Sequence, residues 1–420
     1  MGAGHRAGID IGVAKAQIRG ANRKSRKIAV SEIVQIASIP LFSYGFRPFF
    51  FGGALWAVIA MLLWIGLLTG GLSFAGGYGA VAWHIHEFLF GYISAVVTGF
   101  LLTAVPNWTG RLPLRGAGLL LLFLTWLAGR IAMLMTATLG TPLAAMIDGA
   151  YLWVLTFVIL REILSGNNWR NLKVMVLVAI LASANTFFHI EVIRNGAPDI
   201  GSRLGIAAIV ALIILIGGRI TPSFTHNWLV KQNITKLPAP LGRFDIVAMA
   251  LSALSLLLWV ATPHGQPAGV ALLIAAALLL IRLLRWQGLR TWCAPMVFIL
   301  HAGYFFLPLG ALLLALSILS SAALAQSGAL HAWTTGAMGV MTLAVMTRAT
   351  RGHTGRAIEA PATTIAIYVA IVFAAALRIV APMFPAAYMP LIHTSALCWL
   401  LAFGGFVLVY GPMLLRPRKT

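Results

Sequence analysis

Acidic side chains are nearly missing from this sequence. Only 9 Asp and Glu stand against 30 Lys and Arg in 420 residues, and 9% of the chain is charged. An ordinary soluble domain carries roughly 25% charged residues, so no water-facing shell can be built here and most of the exterior must meet lipid. Cysteine is as scarce. Cys293 and Cys398 lie far apart inside apolar stretches and form no CxxC redox pair, no CxxCH for covalent haem and no disulfide; they read as small buried hydrophobes. A cleavable signal peptide is missing too, because no short apolar core with an A-x-A-like site follows the cluster Arg23, Lys24, Arg26, Lys27.

What is abundant is apolar: 60% of the residues. Runs of roughly 17–25 residues, long enough to cross a bilayer, fall near 49–69, 84–105, 116–137, 141–162, 172–190 and 203–220. Six more lie near 244–261, 267–285, 293–318, 329–347, 362–381 and 388–415, the 293–318 run carrying Pro295 and Pro308. The expected fold is therefore all-α, a polytopic integral membrane bundle of about 12 transmembrane helices. Residues 1–38 form a basic cytoplasmic tail and 39–420 one membrane domain.

The net charge of +21 does not indicate nucleic-acid binding. A nucleic-acid binder shows a basic stripe on a soluble fold, whereas these Lys and Arg residues sit in short connections. All but four of the 30 fall on alternate connections, leaving Arg194 and Arg203 opposite and Arg130 and Arg378 within spans. Positive charge marks the cytoplasmic side, which places both termini there. Arg130 and Asp148 stand at similar depth on one hairpin, and a charge inside a bilayer calls for a partner. They are expected to form a structural ion pair.

With this orientation, His84, His86, His189, His331 and His393 gather near the outer leaflet on four spans, and His301 lies deeper. Imidazole is the commonest nitrogen ligand for haem iron and copper, and with few carboxylates and two cysteines it would dominate any metal site. His84, His86, His189 and His331 are the expected ligands, with His301 a further one; His393 reads as interfacial, His5 and His264 as incidental. At about 100° per residue His84 and His86 point about 200° apart, so each can serve a different centre, one on either side of their helix. Glu87, three residues from His84, and Glu191, after His189, are candidate proton carriers. At the cytoplasmic face, Arg47, Asn107, Arg111, His226, Arg348 and His353 lie in Gly-, Arg- and His-bearing segments. These suit either helix ends anchored by positive charge or a site for an anionic ligand.

The stretches LFSYGFRPFF (41–50), WHIHEFLFGY (83–92), GFLLTAVPNWTGR (99–111) and VMTRATRGHTGR (345–356) resemble the NnrS family. These are bacterial membrane proteins associated with haem, copper and the response to nitric oxide. Phe88 stands where that pattern has methionine. The resemblance implies non-covalent haem b and copper, the bacterial inner membrane, and tolerance of nitrosative stress. The expected activity is binding of nitric oxide, and its reduction by a haem-copper oxidoreductase drawing electrons from an unidentified quinol or cytochrome. The motif positions carried over are Arg47, His84, His86, Asn107, Arg111, Arg348 and His353. Two other readings compete: a transporter exporting a metal or metal-nitrosyl species, and a haem-based sensor. The first half shows no convincing repeat of itself in the second, and no soluble output domain is evident.

Overall fold

Each apolar run becomes a helix because inside a bilayer every backbone N–H and C=O must be satisfied within the segment. The computed structural model describes residues 38–320 and 326–419. The tail ahead of Ser38, with its basic cluster and His5, lies outside the described residues. Among the described residues, twelve helices are long and apolar enough to cross a membrane, and there is no strand. They are α1 (Phe46–Leu68), α2 (Gly76–Thr109), α3 (Ala117–Leu134), α4 (Thr141–Ser165), α5 (Trp169–Asn195) and α6 (Ile200–Lys231). The second six are α7 (Arg243–Ala261), α8 (Gln266–Leu284), α9 (Pro295–Leu319), α10 (Gln326–His353), α11 (Ala362–Met383) and α12 (Pro385–Leu415).

Every fourth helix is different in kind. In α2, α6 and α10, 72–78% of the apolar stretch is buried, against 33–50% in the other nine. These three also share a wide, π-helical segment: Glu87–Ile93, Ile213–Gly217 and Ala332–Val340. Such turns are rare and concentrate at functional sites. The three pack against one another at the centre, and α12 closes against α1. Large apolar side chains on the outer helices, such as Leu62, Leu121, Phe157, Leu257 and Leu408, remain exposed, as a lipid-facing surface requires.

A wide turn leaves carbonyls without their usual partners, and buried side chains supply them. Trp126 Nε1 donates to the Gly91 carbonyl at 2.9 Å. Arg282 donates to the carbonyls of Ile214 at 3.1 Å and Gly218 at 3.5 Å; the latter also lacks the N–H that Pro222 cannot offer. This bonding lets α6 run on to Lys231, so His226 lies on a helix rather than in a connection. In the same way α10 continues through Arg348 to His353.

The basic connections converge at one end of the bundle. Arg47 donates to the Leu414 and Arg416 carbonyls at 2.8 and 2.7 Å, and the Lys419 N–H donates to the Thr354 carbonyl at 3.1 Å. Arg111 meets Glu162 at 2.8 Å and Arg348 lies over the Phe224 ring at 3.9 Å. The start of α1 and the end of α12 therefore share this basic end.

Candidate metal centres on the two sides of one helix

The WHIHE stretch sits where α2 passes from α-helix into its wide segment. His86 is fully buried and turns toward α4 and α5. Its Nδ1 lies 2.8 Å from Glu87 Oε1, and its Nε2 lies 3.0 Å from Asp148 Oδ2 and 3.1 Å from Asn185 Oδ1. The same Asp148 oxygen is 3.0 Å from His189 Nε2 and accepts from Asn185 Nδ2 at 2.8 Å. The other ring nitrogen of His189 lies 2.7 Å from the Tyr78 hydroxyl. Arg130 completes the cluster, donating to Glu87 at 2.5 Å and to the second oxygen of Asp148.

Charge decides how this cluster is held. Two carboxylates against one guanidinium leave a negative charge that a membrane interior does not tolerate unbalanced. Both nitrogens of His86 face carboxylate oxygens, an arrangement that suits an imidazole donating from both and supplying the balancing positive charge. On His189, Nε2 donates to Asp148, and Nδ1 accepts from Tyr78. The arrangement also fits a metal ion. Ligand atoms of His86, Asp148 and His189, all buried, lie within 4.8 Å of one another. A monovalent metal ion bound there would take the place of the proton on His86 Nε2 and keep the cluster neutral, while the His189 proton would pass from Nε2 to Nδ1 and be donated to Tyr78.

His84 faces the other way. Its ring stacks on Trp64 at 4.1 Å between centroids and touches Phe88 at 4.8 Å. Across from it His331, at the start of the wide segment of α10, lies 6.5 Å away with its ring plane within 11° of parallel. His331 Nδ1 bonds the Ser327 carbonyl at 2.6 Å, which leaves Nε2 for a ligand. Nδ1 of His84 and Nη1 of Arg378 are buried without a hydrogen-bond partner among the described residues. Arg378 lies close enough to act electrostatically on both rings and has no carboxylate partner among the described residues. One side of α2 thus carries a balanced, acid-rich cluster and the other a cationic, aromatic one.

The four histidines therefore do not make a single group; α2 separates the pair His86–His189 from the pair His84–His331. Glu87 does not serve His84 either. Angular position puts it on that face, but the buried charge of Arg130 lies on the other, and the carboxylate turns there. His301 joins neither pair: its Nε2 meets Thr225 at 2.7 Å and its ring packs against Trp286. Glu191 accepts the N–H groups of Asp199, Ile200 and Gly201 at 2.8–3.0 Å, capping the start of α6.

Nor do the residues of the basic end form one pocket. Arg47 caps the last turn of α12. His353 packs on Tyr44 and Phe46, Arg111 pairs with Glu162 and Arg348 covers Phe224. Asn107 bonds back to its own helix at 3.2 Å, and His226 is exposed.

Sequence reading passed over Asn185, Tyr78, Trp64 and the placement of Arg378. Asn185 was within reach of it, since it stands four residues before His189 and so shares its face. Gly91 was missed as well: a Cβ there would meet Glu87 Oε2 and Trp56 Nε1 at 3.0 Å and crowd Arg130. Comparison with protein-family models matches the chain over residues 40–418 to the model described as NnrS protein. None of the curated proteins compared matches it.

Proposed function

The chain belongs to the NnrS family, and from that membership and the two histidine sites we propose a haem- and copper-binding protein of the bacterial inner membrane that binds nitric oxide. It would reduce nitric oxide with electrons from a quinol or cytochrome and so give tolerance to nitrosative stress. The observation that carries this reading is the pair of histidine sites of opposite electrostatic character on the two sides of one helix.

The residues suit the two groups differently. On one side of α2, His84 and His331, with ring centres 6.5 Å apart, are the residues that would hold haem iron. Beside them, the unpaired Arg378 nitrogen suits the anionic edge of haem. The His86–Asp148–His189 side offers two imidazole nitrogens and a carboxylate oxygen, a donor set suited to copper. Bound there, haem iron and copper would supply coordination of nitric oxide and electron transfer.

The chain's own residues do the rest. Arg130 fixes both carboxylates, which fix His86, so the donor atoms are held before any ion arrives. Glu87 and His86 hold a proton between them at 2.8 Å, where a reduction would need one. Trp64 and Phe88 pack against the His84 ring and fix its orientation. The test is a visible absorption spectrum of the purified protein with and without nitric oxide. A Soret band that shifts on adding the gas is expected; no Soret band in protein from haem-replete cells would refute the proposal.

A further inference from the structure

The three central helices line a partly open apolar cavity of about 80 Å³ with their side chains alone. At one end it meets Ile93, Ile209 and Met338, all buried; at the other Phe100, Ile220 and Val345, all half-buried. It therefore lies along α2, α6 and α10, between the membrane interior and the basic end. Ile93 is seven residues beyond His86, about 10 Å along the helix.

The lining has one hydroxyl, that of Thr342, and it is already used. It donates to the Gly339 carbonyl at 2.9 Å and pairs with the Tyr92 hydroxyl. A buried water needs two to four polar partners, and this cavity offers none that is free. Its volume is also too small for a quinone or a drug-sized ligand, whose pockets span roughly 300–1,000 Å³. An apolar void of roughly 150 Å³ in another protein stays dry and takes benzene or xenon, so about half that volume suits a molecule of a few atoms.

We propose that this cavity binds a small uncharged gas molecule, of the diatomic class, within the membrane domain. Gas binding here deepens the nitric oxide reading, since it gives that substrate a holding site beside α2, but the cavity's occupancy stands or falls separately. An unfilled cavity forfeits the dispersion contacts its walls would make. This one lies among the three most buried helices of the fold.

Xenon tests the proposal on the full chain with its cofactors in place. Crystals of the purified protein under xenon pressure are expected to show anomalous density between Val97, Ile213 and Met341. The variant Val97→Trp, which fills the space from α2, is expected to lose that density while retaining its melting temperature and haem content. Ile216→Phe makes the same test with a smaller addition from α6. No xenon in the wild-type cavity, or ordered water in its place, would overturn the proposal. So would xenon that persists there in either variant. Xenon bound in a protein that carries no haem or copper would keep the cavity proposal and remove the nitric oxide reading.

Discussion

Nε2 of His86 stands 3.0 Å from a carboxylate oxygen of Asp148, with both side chains sealed from solvent. That contact ties the wide turn of α2 to α4, and Arg130 reaches the same carboxylate from α3. The consequences are measurable.

Arg130→Met removes the cation that Glu87 and Asp148 share. Breaking a buried pair by deleting one partner costs about 3–5 kcal/mol. The variant should melt well below wild type in detergent. An unchanged melting temperature would mean that the pair does not hold the three helices together.

Metal uptake at His86, Asp148 and His189 would displace the proton on His86 Nε2. Titrating the metal-free protein with copper should therefore release about one proton per ion at neutral pH. Calorimetry in buffers of different ionisation enthalpy reads this directly. Chelation should leave the fold intact, since the proton returns and the cluster is again neutral.

Arg47→Ala should lower stability by about 1.5–3 kcal/mol, the range for hydrogen bonds to a charged group. Its guanidinium bonds the last carbonyls of α12. Haem and copper content should be unchanged. Loss of haem in a well-folded variant would instead assign the residue to the cofactor.

Glu191→Ala should cost about 0.5–2 kcal/mol, as loss of a helix cap does, because the carboxylate accepts three N–H groups at the start of α6. Turnover of nitric oxide by the folded fraction should match wild type. Reduced turnover at unchanged stability would instead support Glu191 as a proton carrier.

Gly91→Ala places a methyl group against Arg130, Glu87 and Trp56. Overpacking of this kind costs about 1–3 kcal/mol. Copper retention should fall along with the melting temperature.

The helix count was legible because lipid imposes one constraint on every span, and Lys and Arg mark alternate connections. The division of His84 from His86 was legible from their angular separation alone. The direction of Glu87 was not, because it follows from a cation forty-three residues away rather than from local geometry. Nor was the four-helix spacing of α2, α6 and α10, since a wide turn leaves no hydropathy signature and WHIHE has no counterpart in the other two. His301 was grouped with the outer histidines for its chemistry; the fold places it beside Thr225 instead.

The central claim is that α2 carries two separate centres. Quantifying haem and copper in His84→Ala, His331→Ala, His86→Ala and His189→Ala tests it most directly. The first two variants should lose haem and keep copper; the last two should lose copper and keep haem. Joint loss of both cofactors in every folded variant, or loss of neither in any, would contradict the account.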